Sequence, residues 1–134
     1  PSFNHPTVKE MIKKNTTLRK QLNCSPQFIS TALMKAAQDQ AWYMARMHNK
    51  GQEDFNHCGG NGTPGQRAAY FEYKGLVKEN IARGYSSIDK VFTAWENSKN
   101  HRDALYSDTT DAGFGYAVAR DGTTYWVVLY GTPK

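Results

Sequence analysis

The stretch AGFGYAVARDGTTYWVVLYG, residues 112–131, decides the architecture. Two runs rich in aromatic and β-branched residues flank Asp121-Gly122, a pair that favours a tight chain reversal. The stretch predicts a β-hairpin, and everything before it reads differently. Residues 6–22, PTVKEMIKKNTTLRKQL, predict a helix opened by Pro6 or Thr7, with Val8, Met11 and Ile12 as a short apolar stripe. Asn15–Thr17 weaken its middle. NCSP at 23–26 ends it, because the residue before a proline avoids helical geometry. A second helix is written in Ile29, Leu33, Ala36, Ala37, Ala41 and Met44, at helical spacing up to about Met47, with Ser25 or Ser30 as cap. Its alanines predict a close approach to another element. Asn49–Gly65 reads as a long loop holding five glycines, and PGQRAAYFEY (64–73) as a short helix with proline at its start. Ser87 opens a further helix, in which Ile88, Val91, Phe92 and Trp95 recur at i, i+3, i+4 and i+7. SKNHRDALYS (98–107) reads as a turn leading into a short helical stretch. Helices first and a hairpin last predict a single α+β domain over residues 1–134, its helices packed on an antiparallel sheet.

Composition agrees. A chain of 134 residues with eight Tyr, six Phe and three Trp fills one core, which excludes a disordered segment. No apolar run approaches the roughly 20 residues needed to cross a bilayer. No targeting pattern is visible, and the chain begins at Pro1, which reads as a processed or excised end. The net charge is +5, and it is uneven. Residues 1–50 hold eight Lys or Arg against Glu10 and Asp39, a surplus of +6. That surplus reads as a solvated helix face, or as a surface suited to anionic lipid or wall polymer. No sequence-specific nucleic-acid partner is expected, since the basic residues are not interleaved with aromatics and no binding motif occurs. Cys24 and Cys58 permit one disulfide, and their positions in the sequence do not decide whether it forms.

Three polar residues stand beside strong core segments: His57 in the glycine-rich loop, Glu79 in ENIARG (79–84), and His101 past the Trp95 helix. Two imidazoles and a carboxylate form a minimal set for a divalent cation, Zn²⁺ above all. The same set can do acid–base work near neutral pH. The separations, 22 residues each, match no local metal motif. ENIARG itself makes neither a good helix nor a good strand. It reads as an irregular segment that presents Glu79, anchored by Ile81 and Ala82 and released at Gly84.

Five pieces in order, ALMKAAQDQAWYMARM, HCGGNGTPGQR, KENIARG, VFTAWENSKNHRDALYSD and the hairpin, resemble the CAP superfamily of cysteine-rich secretory, antigen 5 and pathogenesis-related proteins. The likeness runs from about Leu33 to Gly131 and is nearer the short bacterial or phage-type branch. It implies an α–β–α sandwich with a central antiparallel sheet flanked by helices, and a cleft holding two histidines and acidic residues. The family's first histidine precedes a glycine-containing loop and an arginine, a pattern that His57, Gly62 and Arg67 match. His48 lies too early for it. The glutamate of the family's ENxA motif falls on Glu79, with Asn80 beside it, and the second histidine falls on His101. Where other branches carry a second glutamate, three residues after the helix tryptophan, this chain has Ser98. Glu96, two residues earlier, points about 200° away around a helix and does not replace it.

Less negative charge in the cleft implies that any cation is weakly held, with water completing its shell. The resemblance implies an extracellular, cell-envelope or virion-surface domain. Its cleft would bind a divalent cation, a glycan or a peptide, with His57, Glu79 and His101 as metal ligands and Asn80 and Ser98 as further binding residues. Fold does not settle function, and two other readings stand. One is a metal- or His/Glu-dependent hydrolase of peptide or cell-wall substrate, with His57, Glu79 and His101 catalytic; whether the protein is an enzyme stays open. The other is a sterol- or fatty-acid-binding module, with Phe114, Tyr116, Tyr125 and Trp126 lining a groove.

Overall fold

The computed structural model describes residues 5–134, so Pro1 and its reading as a processed end lie outside the described residues. The chain order is α1 (Pro6–Gln21), β1 (Phe28–Ile29), α2 (Thr31–Asn49), α3 (Pro64–Tyr70), β2 (Gly75–Arg83), α4 (Ile88–Glu96), α5 (Lys99–Leu105), β3 (Asp111–Val118) and β4 (Thr124–Pro133). The four strands lie in the order β1-β3-β4-β2. β3 and β4 form the expected hairpin, from Asp111↔Gly131 to Val118↔Thr124. The reversal is wider than a two-residue Asp-Gly turn. Ala119 N–H bonds the Thr123 carbonyl and Gly122 N–H bonds the Ala119 carbonyl, leaving a three-residue connection with Gly122 at φ +93°. Only glycine takes that angle cheaply, and a three-residue loop of this kind keeps the strand twist.

The three long strands are antiparallel, as expected, and one short strand is added at the sheet edge. The sheet is mixed, because β1 runs parallel to β3 through Phe28↔Asp111 and Ile29↔Ala112. Ile29 therefore belongs to this strand and not to the second helix, which Ser30 caps by accepting from Leu33 N–H. A two-residue strand carries no periodicity from which it can be read.

A second correction concerns ENIARG. Residues 79–83 are a regular part of β2, which pairs with β4 from Gly75↔Pro133 to Arg83↔Tyr125, and Gly84, at φ +87°, turns the chain away as expected. The segment's propensity is poor, but β4 supplies an apolar template along its whole length, and tertiary pairing overrides local preference. Charged residues such as Lys78 and Arg83 are expected on an edge strand, where they discourage further pairing.

Both sheet faces are covered. Tyr125, Val127 and Leu129 of β4 pack with Leu33, Ala36, Ala37, Ala41 and Met44 of α2 and Ala68 of α3. Trp126, Val128 and Tyr130 pack with Val8 and Met11 of α1, Val91, Phe92 and Trp95 of α4, and Leu105 of α5. The α–β–α sandwich thus follows from the two-residue period of β4. The alanine face of α2 makes the close approach it predicts. A Cβ added at Gly113 would stand 2.1 Å from the Leu33 backbone, and one at Gly115 would stand 2.5 Å from that of Ala37. Gln38 spans the same contact. Its amide donates to the Tyr116 carbonyl at 2.8 Å, and its carbonyl accepts from Tyr116 N–H at 3.1 Å.

The basic first third is also less exposed than its count implies. Arg19 is buried and donates to the carbonyls of Leu105, Ser107 and Ser25, tying α1 to the segment before β3. Asn15 does not break α1; it is buried and accepts from Tyr130 Oη at 2.7 Å. Cys24 and Cys58 are both free thiols.

Candidate functional site

The loop between α2 and α3 is long but not loose. Gln40 of α2, fully buried, donates to the carbonyls of Asn56 at 2.9 Å and Cys58 at 3.4 Å. Asn61 donates to Asp39 at 2.9 Å, and Tyr43 and Asp54 are hydrogen-bonded. A capping box between Thr63 and Gln66 then starts α3. These contacts bracket His57 on both sides, so its position is set by two helices.

Glu79 sits on the α2/α3 side of β2, in register with Ile81, because alternate strand residues share a face. Its side chain is 1% exposed. One carboxylate oxygen accepts from Arg67 of α3 at 2.6 Å, and the other lies 2.9 Å from His57 Nδ1. Arg67 is itself fully buried and also donates to the His57 carbonyl at 2.5 Å. The His57 ring is half exposed. The three side chains form a line from the interior to solvent: guanidinium, carboxylate, imidazole. A buried ion pair of this kind is held by its geometry, and loss of either partner leaves an uncompensated charge.

Asn80 points to the opposite face of the same strand. It is buried and donates to the His101 carbonyl at 3.0 Å, which fixes the first turn of α5. Trp95 Nε1–H bonds the Ile81 carbonyl at 3.1 Å and locks α4 against β2. Ser98, at the start of α5, does not cap the helix with its hydroxyl. That hydroxyl lies 3.0 Å from His101 Nδ1. Burial, and second the charge of His57, hold His101 below the usual imidazole range. At neutral pH His101 is therefore uncharged. The two imidazoles are close enough to sense each other, although they approach from opposite faces of β2.

Beside His101 is a cleft of about 300 Å³, whose lining includes His101, Ser98, Arg83, Phe55 and Tyr85 but not His57 or Glu79. Of the residues expected at the site, His57 and Glu79 are bonded to each other, and Ser98 and His101 are bonded to each other. Asn80 holds backbone and does not line the cleft. Arg67 enters the sequence reading only as the arginine of the family's histidine pattern; that it is buried and pairs with Glu79 is visible only in the structure. Arg83, Phe55 and Tyr85 carried no signal.

As a metal centre the set fits poorly. Both oxygens of Glu79 are engaged, and among the described residues no group of three or more His, Cys, Asp or Glu could hold an ion. Of the four hairpin aromatics considered for a lipid groove, Phe114, Tyr125 and Trp126 are buried in the core. Tyr116 and Trp126 edge a separate groove of about 570 Å³ between α1 and α4, where Lys13, Lys14, Glu10 and Asp89 also line the wall. No helix among the described residues is long and apolar enough to cross a membrane.

The cysteine-rich secretory protein family, CAP, matches residues 14–130. An uncharacterised protein of Borreliella burgdorferi is 30% identical over 129 residues, 95% of this chain and 79% of its own length. An outer surface protein of Borrelia burgdorferi superposes with a TM-score of 0.85 at 27% identity, over 100% of this chain and 97% of that one. An extracellular protein of Bacillus anthracis that contains an SCP domain gives a TM-score of 0.74 at 21% identity, covering 94% of this chain and 40% of its own. The last likeness is one of fold alone.

Proposed function

The chain belongs to the CAP family of cysteine-rich secretory proteins, and from that premise we propose that it is an extracellular binding domain whose cleft beside β2 takes a small ligand, a peptide or glycan fragment. The observation that supports this is the cleft's lining of Arg83, His101 and Ser98 beside Phe55 and Tyr85; outside that lining, the line Arg67–Glu79–His57 holds one half-exposed imidazole by two buried charges. Preorganisation of that kind has no evident structural use at its outer end, since His57 covers no core. Surface placement on a cell envelope rests on the outer surface and extracellular proteins it is similar to.

A divalent cation is the weaker occupant. Glu79 would have to leave Arg67 or His57 to ligate it, so a cation would rest on the two imidazoles and water. Thermal melts with Zn²⁺ test this part. Two-imidazole binding raises the melting temperature only at high Zn²⁺ and loses the rise in His57→Ala. Equal responses in wild type and variant remove the cation from the site. The ligand reading is tested by backbone NMR with a panel of peptides and wall glycans. Shifts clustering at Ser98, His101 and Arg83 are expected, and a panel that leaves those resonances unmoved sinks it.

One observation favours hydrolysis as a second reading: the Ser98 hydroxyl 3.0 Å from an uncharged His101. A hydroxyl beside an imidazole base is the minimal acyl-transfer pair. Turnover of peptide substrates that persists in Ser98→Ala would exclude this pair as its source.

A further inference from the structure

The cleft differs from a cation site in sign. No Asp or Glu lines it, while Arg83 does. Glu79, the nearest acid on β2, is neutralised by Arg67 within the fold. Arg83 is paired with Glu53, which comes from the loop between α2 and α3, and its guanidinium stands 5.4 Å from the Phe55 ring centroid. Apart from Ser98 and His101, the remaining walls are apolar or aromatic, including Ala82, Tyr85 and Trp95. A sugar would need many polar partners there, and few exist. A small apolar group with one anionic end matches both the walls and the charge.

We propose that the cleft binds the C-terminal residue of a peptide, with its carboxylate on Arg83 in place of Glu53 and its side chain against Phe55 and Tyr85. This deepens the ligand-binding reading above and rests on it. Glu53 then acts as a built-in competitor. Both partners are exchangeable, for Arg83 is 42% and Glu53 43% exposed, and such a pair is weak and screened by salt. A ligand carboxylate entering a half-enclosed cleft accepts two parallel bonds from the guanidinium, which an exposed loop carboxylate holds less firmly. His101, being uncharged, leaves Arg83 as the cation that selects the anion.

The experiment is an NMR-followed titration with N-acetylphenylalanine and, as control, N-acetylphenylalaninamide. The two probes differ only in the carboxylate. The acid is expected to bind at least tenfold more tightly than the amide, with shifts at Arg83, Tyr85 and Ser98. Glu53→Gln is expected to raise affinity for the acid by up to about fivefold, the release of a surface pair worth up to about 1 kcal/mol, and to leave the amide unchanged. Arg83→Gln is expected to erase the preference while the melting temperature stays near wild type. Equal binding of acid and amide, or a preference that survives Arg83→Gln, overturns the carboxylate inference and leaves the cleft reading standing. Silence of the cleft resonances toward both probes also overturns it. Silence toward the wider peptide and glycan panel as well would bring down the ligand reading beneath it.

Discussion

Two histidine–carboxylate pairs of nearly equal length occur in this molecule, and they are built differently. His57 Nδ1 lies 2.9 Å from Glu79, and His48 Nε2 lies 2.7 Å from Asp121. The carboxylate of the first is 1% exposed and leans on a buried arginine. The carboxylate of the second is 59% exposed, at the hairpin tip, and its histidine is backed by the Tyr125 hydroxyl at 2.8 Å. Distance alone would rank them together. Burial separates a preorganised site from a surface tie between α2 and the hairpin, because desolvation makes a charge dependent on its partner and solvent relieves it of that dependence.

The sharpest way to break the contrast is Arg67→Met. It strands Glu79 in the interior, and urea unfolding is expected to report a loss of about 3–5 kcal/mol. The double variant with Glu79→Gln should recover much of that loss, since no buried charge then lacks a partner. A cost for Arg67→Met no larger than that of an exposed pair would erase the distinction. Gln40→Ala comes next. It removes the donor that holds the Asn56 and Cys58 carbonyls, at about 1–3 kcal/mol, and should broaden the His57 amide resonance. His57→Ala should cost less than about 1 kcal/mol, because Arg67 still satisfies Glu79.

The smallest effects concern pH. Asp121 is held at about 2 from a usual 3.8, first by its bond to His48 and then by Thr123 N–H. Its stabilisation is present above pH 3.8 and is lost as pH falls through about 2, so Asp121→Asn should flatten only that acid limb of a melting curve series. His101 has the same sign in another window. Its depressed pKa means that the unfolded chain takes up the proton first, so stability falls as pH drops below 6.5. His101→Gln should remove that slope, and an unchanged slope would place the titration elsewhere.

Much of this was readable beforehand, for identifiable reasons. The Trp95 helix and the hairpin announce themselves because one face of each is buried and the period of burial is printed in the residues. Glu79 and the two histidines are singled out in the sequence only by the order of motifs around them. β1 was not, because two exposed residues, Phe28 and Ile29, carry no period. β2 was misread at ENIARG for a related reason. An edge strand with Glu, Asn and Arg looks like a loop until its partner is known, and the same alternation that was invisible sends Glu79 to one face and Asn80 to the other.

Sequence by itself determined the α+β class: apolar period and the order of helices before hairpin suffice, because hydrophobic burial is a local pattern summed along each element, while the α–β–α layering was implied by the family resemblance. Tertiary structure alone decided the chemistry. Whether Glu79 meets Arg67, whether Ser98 caps a helix or bonds His101, and whether Arg83 lines the cleft depend on which side chains converge across elements, and on how much water remains between them. Those are properties of distance and desolvation, and neither is defined until the chain has closed on itself.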